Sequence, residues 1–495
     1  MKNILSYLLL CLPIIGFSQN EFIGRDFWKT APDVATVKAK IAEGNDPVEL
    51  NNFGFDAITY AILENAPLET IQFLLDMEGN EVNKITHDGR NYLLWAGYKG
   101  NLPLMKDLIA RKSDTKLVDD HGYNLMAFTA VGGQQNTEVY DLILANGGKV
   151  DDANRAGANA LLLLAATMKD TKIMDYFHAK GLDIHTKDKK GNGLFNYAAS
   201  RGNLPMMKKF VEMGLDYQTP NMEGGNAFMF ASSGARGHTN TMEVYQYLAD
   251  LGLEVDIVTS EGKTPLHNVA FRTKDAAIAD FFTNNCVNVN QIDKDGNTAF
   301  LNAVRYNNLD MATHLSPNVK NVNHTNKEGY SALTYAVRRG AMDAVKMLAD
   351  KGATMDVVDT KGNNLVYHLF DAYGSRTKKA FDQLLPMLLE AKVATTGGFE
   401  NGNNLIHVGV EKGETALIEK ALALGCAVNH KNKDGLTPLH LAAMKATDKE
   451  VLTMLLNKGA DKKALTDFEE SAFDLASENE MLNEQGVDLG FLKIK

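Results

Sequence analysis

A glycine returns along this chain at a nearly fixed interval. Gly54, Gly89, Gly122, Gly157, Gly191, Gly224, Gly262, Gly296, Gly329, Gly362, Gly402 and Gly435 are separated by 35, 33, 35, 34, 33, 38, 34, 33, 33, 40 and 33 residues. A period near 33 residues marks a tandem array, in which one small unit is stacked on its own copies because it cannot bury both faces alone. The 495 residues therefore form an array, not the several unrelated domains that such a length otherwise suggests. Each of these glycines is placed to supply the positive φ of a tight turn. That role accounts for 41 Gly beside only 11 Pro.

The residues after each glycine read as the start of a helix. Thr264, Thr437, Ser331 and Ser471, or Asn at 91, 124, 159, 226, 364 and 404, stand where a side-chain oxygen can accept an otherwise unpaired backbone N–H. Pro265 and Pro438 then occupy a first helical position, where the missing N–H has no partner to lose. Ala442-Ala443, Ala198-Ala199 and Ala336 allow close helix approach, and Leu74-Leu75, Leu142-Ile143 and Leu455-Leu456 give a second helix its apolar stripe. The sharpest copy, residues 434–466, reads DGLTPLHLAAMKATDKEVLTMLLNKGADKKALT. With its Thr-Pro-Leu-His, Leu-Ala-Ala and Gly-Ala-Asp segments it closely resembles the ankyrin repeat. Thr264-Pro265-Leu266-His267 repeats the motif, and the copies at Gly296 and Gly329 are looser. The resemblance implies an all-α solenoid of tandem helix-turn-helix units joined by β-hairpin loops, about twelve full repeats with terminal caps.

The organisation expected along the chain has four parts. Residues 1–18, MKNILSYLLLCLPIIGFS, read as a signal peptide: Lys2, then an apolar stretch, then Gly16 and Ser18 at the small-residue cleavage positions before Gln19. Interrupted by Pro13, that stretch is too short for a membrane span of about 20 residues. Cys11 is followed by the apolar LPIIGF and so belongs to the leader, not to a lipid anchor. Residues 19–53, with Trp28, form a lead-in and capping half-repeat; 54–468 form the array; and 469–495, where Glu469 replaces the turn Gly, form the closing cap. The two long repeats carry insertions near SSGARGHTNT (224–262) and near DAYGSRTKKAFDQ and VATTGGFE (362–402).

Little catalytic chemistry is legible. No phosphate loop of the Gly-x-x-x-x-Gly-Lys-Ser/Thr type, no nucleophile elbow and no His-Glu-x-x-His motif occurs. His267, His407 and His440 end the helix-start tetrapeptide, where the family uses His to stiffen adjacent loops. His185, His324 and His430 lie ahead of hairpins in non-adjacent repeats, which argues against one shared ion. His87 and His121, with Asp88, Asp119 and Asp120, are the one cluster that a weak metal or proton site would use. Cys286 and Cys426 are read at the Ala of the Gly-Ala-Asp segment, as small buried residues too far apart in the array to bridge. No catalytic residue, cofactor or metal is expected.

The formal net charge of −11 argues against general nucleic-acid binding. Ankyrin-type arrays bind through hairpin tips and the inward end of the first helix. Carried onto this chain, that position holds Tyr98-Lys99, Ser200-Arg201, Phe271-Arg272, Arg305-Tyr306, Arg338-Arg339, Glu411-Lys412 and Met444-Lys445. The candidate partner-binding residues are thus Tyr98, Lys99, Arg201, Phe271, Arg272, Arg305, Tyr306, Arg338, Arg339, Lys412 and Lys445, a basic and aromatic column facing a protein with an acidic surface. The hairpin acids Asp88, Glu223, Glu261, Asp295, Glu328 and Asp434 are assigned to the turns themselves. The expectation is an exported, monomeric, non-enzymatic binding scaffold, periplasmic in a Gram-negative bacterium or released beyond it. Its rivals are a secreted effector or toxin-neutralising protein, and a metal or hydrolytic enzyme with its site on the loops.

Overall fold

The structure, a computed structural model, describes residues 20–235 and 237–494; the leader assigned to 1–18 lies outside them. Two compact units divide the chain, the first ending at Asn240 and the second beginning at Thr241. The division falls at the SSGARGHTNT insertion. Among the described residues the regular structure is helical, and the nearest approach to a strand is an isolated bridge closing a hairpin, as between Val358 and Asn364.

In the first unit, short helix pairs succeed one another: Ala57–Leu63 with Leu68–Leu75, Tyr92–Lys99 with Leu102–Ala110, Leu125–Val131 with Thr137–Ala145, Ala160–Ala165 with Lys172–Ala179, and Leu194–Ala199 with Leu204–Glu212. The second unit repeats the pattern, from Pro265–Arg272 with Ala276–Asn284 to Pro438–Lys445 with Glu450–Asn457. Within each unit a first helix packs on the first helix of the next pair. Ala61, Ala96, Ala336 and Ala443 are fully buried there, where a larger side chain would push the helices apart. In the second helices Leu74 and Leu75 are both in the core, whereas in the other two pairs Ile143 and Leu455 are in the core and Leu142 and Leu456 are half-buried.

The loops stack as regularly as the helices. One backbone bond joins consecutive hairpins: Asp120 N donates to Asp88 O at 3.0 Å, Lys327 N to Asp295 O at 2.8 Å, and Thr360 N to Glu328 O at 3.0 Å. All twelve periodic glycines have φ between 71° and 87°. A Cβ on Gly329 would also stand 2.7 Å from Asp359 Cα in the following hairpin, so this position excludes other residues twice over. Glu469 adopts φ 65° at the corresponding place in the closing cap. No later hairpin packs on it among the described residues, so only the backbone strain remains.

The turns are held differently from the sequence expectation. The residue three before the glycine does the work: Asp119 Oδ1 accepts from His121 N and Tyr123 N, and Asn326 Oδ1 from Glu328 N and Tyr330 N. Of the acids assigned to that role, Glu223 and Glu261 instead pair with Lys190 and Lys294 of adjacent hairpins, each at 2.6 Å. Cys286 is a second correction. It is exposed at φ 67°, so it fills the Gly place of its Gly-Ala-Asp segment, and Val287 takes the buried Ala place. Cys426 is buried as expected, its thiol donating to Thr395 O at 3.3 Å.

The caps follow the predicted chemistry. Asn91, Asn159 and Asn364 accept from the N–H three residues on, and Ser331, Thr437 and Ser471 do the same within capping boxes. The histidines extend this network. In His440, Nδ1 accepts from Thr437 N at 3.2 Å while Nε2–H donates to Ala464 O at 2.9 Å in the next loop. His267 makes the same pair of bonds, from Thr264 N and to Asn297 O. Burial lowers the pKa of His267 and His440, and pushes His407 down to about 4 from an ordinary 6.5.

Two measurements test this account. Glu469→Gly relieves an unfavourable φ and is expected to stabilise the chain by about 1 kcal/mol, whereas Gly329→Ala destabilises it by more, both read from urea unfolding midpoints. The histidines set an acid limit. Held neutral in the fold, they refuse a proton that the unfolded chain accepts below pH 6.5, so stability is constant above that pH and falls from 6.5 toward 4. Urea midpoints across this range should fall with pH, and His407→Gln should make the decline shallower.

Candidate partner-binding site

In the second unit the inward positions form a ladder of rings and guanidinium groups. Phe271 and Tyr306 lie with ring centres 4.6 Å apart. Arg272 sits 5.3 Å from the Phe271 ring, and Arg305 lies 5.6 Å from Tyr306 and 5.5 Å from Tyr335. Arg339 reaches across to donate Nε–H to Arg305 O at 2.6 Å. Five predicted residues from three consecutive repeats thus meet. Arg272 and Arg305 touch aromatic faces but, among the described residues, no carboxylate, and both are exposed.

The other predicted residues of this unit are already engaged. Arg338 is bridged to Asp371 at 3.1 Å and donates to His368 Nδ1 at 3.0 Å. Burial first, and the Arg338 charge second, push His368 down to about 4. Its Nε2 lies 3.2 Å from the buried Asp359 carboxylate, too oblique for a hydrogen bond. Lys412 shares Asp371 at 3.6 Å, and Lys445 faces Glu411 at 3.6 Å. These three cations share two carboxylates of their own chain, which offset two of the three charges.

In the first unit, Tyr98, Lys99 and Arg201 line a cleft of about 1130 Å³ with many residues that the sequence pattern did not single out. Hairpin residues Phe53, Phe55, His87, Asp88, Arg90, His121, Tyr123 and Arg155 form one side. The first helices contribute Tyr60, Trp95 and Phe128. Those three stand nine residues after Asn51, Thr86 and Asp119, the residues that anchor the hairpin turns. Asn51 Nδ2 donates to Tyr60 Oη at 3.0 Å, and Trp95 Nε1–H donates to Thr86 Oγ1 at 2.9 Å, so these two rings are pinned beneath their own loops. Tyr197 and Tyr335 repeat the arrangement with Asp188 and Asn326. The signal was present in the sequence, since the rings recur at the array's own period.

Arg90 is the hub of the cleft. Its guanidinium lies 4.9 Å from the Trp95 ring and 4.2 Å from Phe128, donates Nε–H to the buried Asp119 at 2.7 Å, and reaches Asp88 at 3.0 Å. The same Asp88 oxygen is 3.2 Å from His87 Nε2 and 3.3 Å from His121 Nε2. The histidine cluster is therefore real, but a guanidinium already occupies its carboxylate and repels a metal ion. Among the described residues no group of three His, Cys, Asp or Glu has the geometry of a metal site. Likewise, no described helix is long and apolar enough to cross a membrane.

A family model for ankyrin repeats in three copies matches residues 267–359 and 369–479, and one for ankyrin repeats in many copies matches 162–211. The fold is thus that of an all-α repeat protein built to present loops and helix ends. The chain belongs to the ankyrin-repeat family. Among solved structures it is similar to the human ASB11 ankyrin repeat domain, at 22% identity over 47% of this chain and 99% of that one, with a TM-score of 0.38. No curated protein matches the chain. Proteins of this family are in general non-enzymatic scaffolds for protein–protein interaction.

Arg90→Met should leave the Asp119 carboxylate buried without its partner. A loss of about 3–5 kcal/mol is expected in urea unfolding, with red-shifted Trp95 emission as the cleft loosens.

Proposed function

We propose that this chain is an exported, non-enzymatic scaffold that captures one or a few partner proteins through the inward ends of its first helices and its hairpin tips. The observation that carries this reading is a set of cations left without an acid at the inward pair of positions of four repeats. Lys99, Arg201, Arg272 and Arg305 have no carboxylate partner among the described residues, in a chain whose formal charge is −11. Acids in excess elsewhere would neutralise these groups if packing alone were served. Arg beside aromatic rings is also the composition that dominates interface energetics. The leader read over residues 1–18 directs the protein to the periplasm of a Gram-negative bacterium, and the partner carries an acidic surface.

Affinity capture by residues 19–495 from periplasmic extract tests the proposal. Arg272→Glu with Arg305→Glu should reduce capture about tenfold or more while leaving the thermal melt unchanged. Arg338 is the poorer probe, because reversing its charge would set a carboxylate against Asp371. Sequencing of the protein from cells should begin at Gln19. Undiminished capture by the double variant would overturn the binding surface, and an uncleaved chain in the cytoplasm would overturn export.

A further inference from the structure

The cleft of the first unit is furnished for a more specific ligand than a basic column alone would select. At about 1130 Å³ it exceeds the roughly 300–1,000 Å³ of an ordinary small-molecule pocket. Its floor is a run of rings from three consecutive repeats. Phe55 stacks on His87 at 4.2 Å and on Tyr60 at 5.1 Å, Trp95 lies 5.8 Å from Phe55, Phe128 lies 5.5 Å from Trp95, and Tyr98 stacks on Phe128 at 5.1 Å. Phe53 stands over the rim with 73% of its surface exposed.

The rim carries the opposite chemistry. Among the described residues Lys99 and Arg201 have no acid partner, and Arg155 donates only to the Asp120 carbonyl at 3.0 Å. Among them, too, Asp88 is the one carboxylate lining the cleft, and Arg90 and the two histidines already surround it. The surface thus offers the exposed Phe53 over a buried aromatic floor, with three cations that no described carboxylate meets. It spans hairpins from 53–55 to 154–156, a length suited to an extended chain.

We propose that this cleft binds an extended acidic segment of a partner protein. One aromatic or long aliphatic side chain packs against Phe53 at the rim, over rings that Arg90 and His87 already cover, and flanking carboxylates pair with Lys99, Arg155 and Arg201. The proposal rests on the scaffold reading above and names the chemistry that one part of the scaffold recognises. The apolar anchor supplies the contact area, while the cations select against neutral and basic segments.

The probe is a fluorescein-labelled heptapeptide of alternating Asp and Glu with a central Phe, titrated into residues 19–495 and followed by anisotropy. Of the two tryptophans Trp95 lines the cleft and Trp28 does not, so a change in tryptophan emission on adding the unlabelled peptide reports the cleft at Trp95. The acidic peptide should bind at least about tenfold more tightly than the same peptide with Lys for each acid, or with Ala for Phe. Lys99→Glu with Arg201→Glu should weaken it by a similar factor, and Phe53→Ser by several-fold, with unchanged melts. Equal binding of acidic and basic peptides, no loss in the double variant, or tighter binding of oligo(dT) would each overturn the proposal. The two readings separate cleanly. If the captured partner is lost on Arg272→Glu with Arg305→Glu but retained on Lys99→Glu with Arg201→Glu, the cleft proposal falls and the scaffold stands. If neither pair of substitutions affects capture, the scaffold surface itself falls.

Discussion

A backbone N–H of one hairpin donates to a carbonyl of the hairpin before it, and the regularity of each unit depends on that bond. At Gly262 the two loop backbones approach so closely that a Cβ would stand 2.5 Å from Ile292 O, whereas at Gly191 and Gly362 a Cβ would meet nothing nearer than 3.9 Å. The positive φ is the demand common to all these positions, which is why the period is written in glycine and survives where Thr, Pro and His of the helix start do not. The Asp or Asn three residues earlier then fixes the turn by accepting two amides, so the carbonyl presented to the next loop is already oriented. Short helices that would be marginal alone are held at both ends, by loop stacking on one side and buried small-residue contacts on the other.

This loop geometry also builds the cleft. A ring nine residues past the turn anchor lies under its own hairpin and bonds back to it, as Tyr60 does with Asn51 and Trp95 with Thr86. Repeated in successive units, the same requirement lines up aromatic side chains as a wall. Arg90 completes it by joining the second hairpin to the third through Asp119 while lying on two rings. The wall is thus partly a by-product of loop support. The rim turns it into a recognition surface, since Lys99 and Arg201 gain nothing there from their own chain.

The sequence discloses each feature to the extent that the feature is local or periodic. Caps, turn glycines and the helix pairs are set by a few neighbouring residues and are confirmed at Asn91, Ser331 and Thr437. Cys286 departs from its expected place because Asn285-Cys286, not Asn284-Asn285, stands where other copies have Lys-Gly, and the φ of Cys286 with the burial of Val287 fixes that register. The ladder of Phe271, Arg272, Arg305, Tyr306 and Arg339 is legible because equivalent positions of a repeat must be neighbours. The pairing of Arg338 is legible on the same ground, since Asp371 stands 33 residues on at the equivalent position of the next repeat, although spacing does not tell which way the long side chain turns.

Net charge is a weak guide for such a molecule, because screening limits an exposed charge to roughly a Debye length of about 8 Å. A partner docking on the inward residues meets the local field, not the total of −11. In the second unit that field has been edited: Asp371 and Glu411 offset two of the three charges of Arg338, Lys412 and Lys445, while Arg272 and Arg305 lie over aromatic faces with no acid beside them among the described residues. In the first unit Asp88 and Asp119 satisfy Arg90 and stop there. A chain with an excess of carboxylates has left particular cations unpaired at particular repeats. Desolvating such a cation against an aromatic ring lowers the cost of burying it further beneath an incoming carboxylate, so the ring and the missing acid act together.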